Sequence, residues 1–342
     1  MDDKNTDILS RYGLKPIRTG RQRGAIMVQT EEGLYLLREF DGNEKHLEFE
    51  EKLLRNIAVS GDIHVDHIIR NVDGELIDKE DGGRKYIVRK WYCAMDCDAK
   101  NHSHIIRAAK ALAQLHSTMN SVRFGQEYLE TNFNLEDTCD RLLSEFEKHN
   151  RELKRTRNYI RQKRRKNPFE SMVLQKFDVF YEDAGEVLRL MAEPSVQQFI
   201  INEVNAGRLV HGAYNYHNIL FENDGIKEYR PFITNFERAK CSVQVRDLYD
   251  FIRKVMEKHS WDKQLGNAVI EEYAKIRSVS DEELKYLALK LKYPEKYWKL
   301  LNHYYNNNKA WVPDKDIVKL DLVMRQRAGR VAFIDSMGVP GH

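Results

Sequence analysis

Two short stretches hold the residues best suited to chemistry, 210-VHGAYNYHNILFENDG-225 and 231-PFITNFERAK-240. The first reads as a strand end, a tight polar loop, a short apolar strand and a turn. The second reads as a strand that ends in Asn235-Phe236-Glu237. Such a unit, with His211, Asn215, His217 and Asn218 crowded into its loop, can present hydrogen-bonding and metal-ligating groups to a phosphoryl group. Phosphoryl transfer needs a group that orients or deprotonates the attacking hydroxyl, and oxygen ligands for a divalent cation.

The elements that must position these residues are read from the chain in order. Residues 8–16 are expected as a helix stopped near Pro16. Alternation after Ala25 predicts two antiparallel strands joined at Glu32-Gly33. Ahead of them, Gly20-Arg21-Gln22-Arg23-Gly24 is a glycine-bounded loop. It could cover phosphates with backbone N–H groups, Arg21 and Arg23, or be an ordinary hairpin turn with solvated arginines. A helix over 44–61 closed by Gly61 follows, then candidate strands 66–71, 74–80 and 84–92. From Ser103, the expected cap, the period becomes helical: 103–119, 141–166, 169–191 with Gly185 as a candidate interruption, and 195–206. Further helices are expected over 246–261, 264–278, 281–306 with a break near Pro294, and 314–337. The chain therefore reads as α+β in two lobes. Residues 1–95 form a small antiparallel sheet with one helix, and 96–342 form a helical lobe carrying the strand insert.

Composition bounds the function classes. With 342 residues, 42% hydrophobic and 32% charged, the chain is globular and long enough for a substantial core. A net charge of +3 supplies no global pull on nucleic acid. The local exception is the basic end of the long helix, 151–166, finishing in 161-RQKRRK-166. It reads as a solvated face or as a surface for an acidic partner or polyanion. Nucleic acid is disfavoured because no aromatic stacking pattern or binding module accompanies it. Cys93, Cys97, Cys139 and Cys241 lack a histidine cluster and read as thiols of a reducing compartment. The acidic N-terminus has no apolar segment of a signal peptide, and no run approaches the length of a membrane span. Intracellular synthesis and no membrane insertion are expected.

Taken in order, 36-LLREFDGNEKHLEFEEKLL-54, 112-LAQLH-116, the KR-rich helix followed by NPFE (167–170), 211-HGAYNYHN-218, 233-ITNFERA-239 and 247-DLYDFIRK-254 carry a resemblance over essentially the whole chain. The chain is similar to the choline-kinase and aminoglycoside-phosphotransferase branch of the protein-kinase-like fold. Within that branch it resembles the spore-coat protein S family of endospore-forming bacteria.

The resemblance implies a bilobal kinase-like fold and gives each site residue a role. Active relatives carry an Asp in the loop where this chain has Ala213, between His211-Gly212 and the metal-holding Asn218. Alanine has no carboxylate, and Asn215 or His217 would have to substitute. The metal-binding Asp of the second motif matches Asn235, with Glu237 retained nearby. The strand lysine that positions phosphates matches Arg38, whose helix partner would be Glu50 or Glu51. Asp247 and Asp250 are read as structural hydrogen-bond acceptors. The resemblance then implies a pseudokinase-like structural or interaction protein of the spore coat, made in the mother cell, needing no cofactor and contacting other coat proteins. The alternatives are an ATP- and magnesium-dependent small-molecule phosphotransferase with an atypical site, or a noncatalytic nucleotide or polyanion binder using Arg21, Arg23 and Arg38.

Overall fold

Period-two alternation between residues 25 and 39 builds the first sheet. In the computed structural model, which describes residues 3–60, 63–80, 82–122, 124, 137–223, 229–306 and 314–338, helix α1 (Asp3–Arg11) precedes β1 (Arg18–Gln22), β2 (Ala25–Thr30) and β3 (Gly33–Glu39). Tyr35 and Leu37 of β3 turn to one side and pack with Ile8, Leu9 and Val28, so α1 covers that face. Leu36 turns to the other side, among Ala25 and Trp91. Helix α2 (Glu44–Ser60) buries Leu47, Leu53, Leu54 and Ile57. The glycine stop expected at Gly61 lies outside the described residues. Strands β4 (His64–Val65), β5 (Ile68–Ile69), β6 (Asp78–Lys79) and β7 (Lys85–Trp91) follow; β4 was not expected, and β5 and β6 are much shorter than the strands expected over 66–71 and 74–80. The main sheet runs β1-β2-β3-β7-β5, with β6 also on β7, and every pairing is antiparallel.

The glycine-bounded segment 20–24 takes the hairpin-turn form, the second of the two expected. Gly20 to Gln22 belong to β1, and Gln22 pairs directly with Ala25. Arg23 (φ 52°) and Gly24 (φ 77°) are both left-handed, as a two-residue hairpin of the primed type requires.

The second lobe begins after β8 (Met95–Asp96), which straddles the 95/96 division. Helix α3 (His102–Ser121) is capped by Asn101 rather than Ser103: the Asn101 side chain accepts from the amides of Ser103 and His104. Its buried stripe, including Ile105, Ala108, Leu112 and Leu115, is the spine of the largest apolar cluster, which also takes in Phe49 and Leu53 of α2 and Phe251 and Val255 near the cleft floor. Helices α4 (Asp137–Gln162) and α5 (Pro168–Met191) follow, the latter continuous through Gly185. The NPFE segment is a capping box. Asn167 Oδ1 accepts the Glu170 amide, and Glu170 Oε2 accepts the Asn167 amide. After α6 (Pro194–Asn205) come β9 (Leu209–Val210), β10 (Ile219–Asn223), β11 (Tyr229–Ile233) and β12 (Lys240–Cys241). Helices α7 (Val245–Met256), α8 (Lys263–Ala274), α9 (Asp281–Lys292), α10 (Glu295–Asn306) and α11 (Asp314–Ser336) complete the fold, with the expected break at Pro294.

A second sheet, β4-β11-β10-β8, joins the lobes: β4 lies parallel to β11 and β8 antiparallel to β10. The insert that carries the polar loop is thus clamped on both edges by strands from the first lobe. Truncating Leu112→Ala, fully buried at the centre of α3, is expected to destabilise the protein by about 2–5 kcal/mol in urea unfolding. A loss below 1 kcal/mol would show that α3 is not the common spine of the two lobes.

Candidate functional site

The loop 211–218 hangs between β9 and β10, and its shape is set from beneath. Asp247, in the first turn of α7 and fully buried, accepts the amides of His211 at 2.6 Å and Gly212 at 2.9 Å. His116 of α3 reaches the same carboxylate at 3.1 Å and Tyr273 at 2.7 Å. Burial alone would raise the Asp247 pKa. The hydrogen bond from His116 and the bonded His211 amide outweigh it and hold the carboxyl below its usual range. Burial depresses the pKa of His116, so the neutral ring donates from Nε2 to Asp247 and accepts the Tyr273 hydroxyl at Nδ1. His211 is likewise buried and depressed by burial. Its Nδ1 accepts the Ala213 amide at 3.1 Å, and Nε2 donates to the Thr234 carbonyl at 3.0 Å. Gly212 is left-handed (φ 74°), and a Cβ there would stand 2.0 Å from the Arg238 carbonyl oxygen, so no other residue fits.

Above this base lies the interlobe cleft, about 820 Å³, lined by Ala213, Asn215, His217, Asn218, Asn235 and Glu237 among others. Ala213 offers only a methyl group; its carbonyl accepts from Asn215 Nδ2 at 2.7 Å and Asn218 Nδ2 at 2.9 Å. The Asn215 Oδ1 accepts the His217 amide, which engages both ends of that amide in the loop itself. His217 is exposed, and burial with nearby Lys254, Lys258 and Arg23 lowers its pKa, leaving a neutral imidazole at the cleft edge. Asn235 takes a left-handed conformation (φ 70°), which asparagine tolerates well.

The arginine pairings differ from the sequence expectation. Arg38 does not meet Glu50 or Glu51; it pairs with Glu237, and both side chains are more than a third exposed. Glu50 is held by Arg89 of β7 in a bidentate pair at 2.8 and 2.9 Å, and Arg89 also reaches Asp66 at 3.2 Å, all buried. Glu51 points away from the cleft toward Arg70 at 3.4 Å. The reason is geometric. Residue 38, two pairs along the ladder from Leu36–Arg89, is exposed, whereas Arg89 is buried where it meets Glu50 of α2. Arg23 folds down over Trp91, bonds the His217 carbonyl at 2.5 Å and pairs with Asp96. Arg21 is exposed and is not among the cleft-lining residues.

Sequence reasoning missed Arg89 and Asp66. Asp66 Oδ2 accepts the Asn235 amide weakly at 3.4 Å, and its Oδ1 is buried without a protein partner. Burial raises its pKa against the pull of Arg89. An Arg within a hydrophobic strand (YIVRKW) was the available signal, since a buried Arg needs a carboxylate. Nothing local marked Asp66.

The residues present do not fit a magnesium ion well. Magnesium favours carboxylate oxygens. Here Glu237 is engaged by Arg38, and Asn218 and Asn235 offer only neutral amide oxygens in place of carboxylates. Among the described residues no three His, Cys, Asp or Glu side chains are grouped to hold a metal.

The family model described as "Spore coat putative kinase YutH" matches residues 5–337. No curated protein matches the chain. Among solved structures, an aminoglycoside phosphotransferase from Alicyclobacillus acidocaldarius superposes with a TM-score of 0.81 at 18% identity, covering 96% of this chain and 94% of its own. Spectinomycin phosphotransferase APH(9)-Ia, in complex with ADP and spectinomycin, gives 0.63 at 14% identity, covering 96% and 98%. A microcompartment-associated aminopropanol kinase gives 0.58 at 11% identity, covering 98% of each chain. The architecture is the bilobal, protein-kinase-like α+β fold.

Two outcomes follow from the buried base of the loop. Replacing Asp247→Ala strands two amides and His116, and is expected to cost at least about 3 kcal/mol in chemical denaturation. His116 and His211 have folded pKa values below the ordinary value of about 6.5, so the unfolded chain binds more protons on the acid side. Their contribution is complete above that pH and is lost as pH falls through the window beneath it. The His116→Gln variant should show a shallower acid-side loss of stability than the parent; equal slopes would remove His116 from the account.

Proposed function

The chain belongs to the YutH family of spore coat kinase-like proteins, and from that premise we propose that it serves the coat as a structural or interaction protein whose phosphoryl-transfer chemistry is lost. The carrying observation is Ala213. The loop around it is held by backbone and side-chain hydrogen bonds, yet the position that would face an attacking hydroxyl bears a methyl group. A positioned general base typically contributes about 10²–10⁴-fold to rate. Asn235 removes charge from the second position in the same cleft.

Two further features support the reading. The tight turn at Arg23-Gly24 presents a guanidinium, already bonded to His217 and Asp96, where a phosphate-covering loop would present free amides. Ala25, Leu36 and Trp91 of the first lobe pack in one cluster with Leu220 and Phe232 of the second, which narrows the apolar end of the cleft. On this reading no cofactor is required, the partners are other coat proteins, and the place of action is the coat after synthesis in the mother cell. Among the described residues no helix is long and apolar enough to cross a membrane.

A noncatalytic cleft for nucleotide or another anion is the second reading, favoured by its charge: among the described residues eight Lys and Arg against five Asp and Glu line it. Calorimetric and thermal-shift titration with ATP, with and without Mg²⁺, separates the readings. The expected result is no metal-dependent binding by the parent chain, and its appearance in the Ala213→Asp/Asn235→Asp double variant. Saturable metal-independent binding would favour the second reading. Magnesium-dependent binding with turnover by the parent would overturn the loss of transfer chemistry.

A further inference from the structure

Charge in this chain is not spread evenly. Residues 154–166 contain eight Lys or Arg and no Asp or Glu, against a net charge of +3 for all 342 residues. The rest of the chain is therefore net acidic. Elsewhere, several exposed cations on helices are neutralised one turn away, as in Arg325–Asp321, Lys275–Glu272 and Lys299–Glu295. Along the end of α4 that pattern stops. Arg157 and Lys163 have carboxylate partners in Asp178 and Glu170. Lys154, Arg155, Arg161, Arg164, Arg165 and Lys166 are exposed, with no carboxylate within ion-pair distance among the described residues. A helix C-terminus favours cations only in its last turn, so the macrodipole does not account for Lys154 and Arg155, two turns inside.

Beside these cations runs a shallow groove of about 440 Å³ between α4 and α10, lined by Arg151, Lys154, Arg155, Tyr159 and Tyr305 among others. Tyr159 is 44% exposed. It meets Tyr305 edge-on, with ring centroids 5.5 Å apart and planes at 83°. Arg155 lies over the Tyr305 ring at 4.6 Å and Lys163 over the Tyr159 ring at 5.1 Å. Each ring therefore has a cation over one face, which leaves less open surface for stacking a nucleobase. An apolar or aromatic side chain can still lie along the groove between the tyrosines.

We propose that the α4–α10 face is a docking surface for an acidic polypeptide segment, whose carboxylates pair with the unpaired Lys and Arg of 154–166 while an aromatic side chain seats in the Tyr159–Tyr305 groove. This deepens the interaction role proposed above and names the kind of partner it takes. The test is independent of the cleft, because none of the groove-lining residues lines it.

The probes are poly-glutamate, a Glu-rich peptide with one central Trp, and the same peptide with Ala in its place, followed by fluorescence anisotropy at low and raised salt. The full-length chain is expected to bind all three, more weakly as salt rises. The Arg161→Gln/Arg164→Gln/Arg165→Gln variant should lose about tenfold or more in affinity. Tyr159→Ala should keep poly-glutamate binding but lose the preference for the Trp peptide. All three arginines are exposed, so a melting temperature matching the parent is expected, and the salt dependence of the parent chain is read without any variant. Absence of poly-glutamate binding at low salt, undiminished binding by the triple variant, or tighter binding of a single-stranded oligonucleotide would each overturn the proposal. Failure here with a nucleotide-free cleft would leave the loss of transfer chemistry standing; metal-dependent turnover in the cleft would not touch this surface.

Discussion

The buried carboxylate of Asp247 is the contact on which the rest of the site depends. An ionised carboxylate in an apolar interior is tolerated only when its lone pairs are filled by donors. Here the donors come from three places: the His211 and Gly212 amides and the ring of His116, itself steadied by Tyr273. Helix α3, helix α7 and the loop are thereby fixed to one another at a single point. The loop's form owes nothing to the side chain at 213, which is why an alanine can stand there without collapsing the structure around it. The constraint on Gly212 has the same origin: the backbone turns left-handed to bring two successive amides to one carboxylate and passes too close to residue 238 for any Cβ.

The lobes meet through contacts of very different worth. Arg38–Glu237 and Arg23–Asp96 are partly exposed, and pairs of that kind contribute typically less than 1 kcal/mol. The short strands β4 and β8 and the shared apolar cluster around α3 join the lobes more firmly, because they bury backbone hydrogen bonds and side chains together. Arg89 with Glu50 and Asp66 is a different case. Buried ion pairs give little net stability, but losing one partner leaves a bare charge in the interior, so the group specifies how α2 sits on the sheet more than it strengthens the fold.

Two basic surfaces coexist with opposite character. In the cleft, Arg253 is engaged with Glu257 one turn along its own helix and with Glu295 of α10, which also pairs with Lys299. On the end of α4 the cations project from one helix and its following turn, with little opposite charge in reach. The first arrangement keeps a polar cavity ordered. The second leaves a strong local field in water, which falls off over about 8–10 Å at physiological salt.

Much of this molecule was legible in its sequence because the signals are local. Alternation at 25–39, the helical period from 103 onward and the Pro294 break each depend on neighbours a few residues away, and the structure places all of them. So does the loop's order of residues, His211 to Asn218, which marks the site in the sequence alone. What stayed open or was misassigned has a common cause. The segment 20–24 left a phosphate-covering loop and a hairpin turn both open, and only pairing of Gln22 with Ala25 decides for the turn. The resemblance implied Glu50 or Glu51 as the partner of Arg38, but in the fold Glu50 meets Arg89 and Arg38 meets Glu237. Asp66 and His116 gained their roles from partners 23 and 131 residues away. By itself the sequence determined which residues were present and which local elements they would form. Which charged groups share a buried space was decided by the tertiary structure, since desolvation acts on neighbours in space, whatever their separation along the chain.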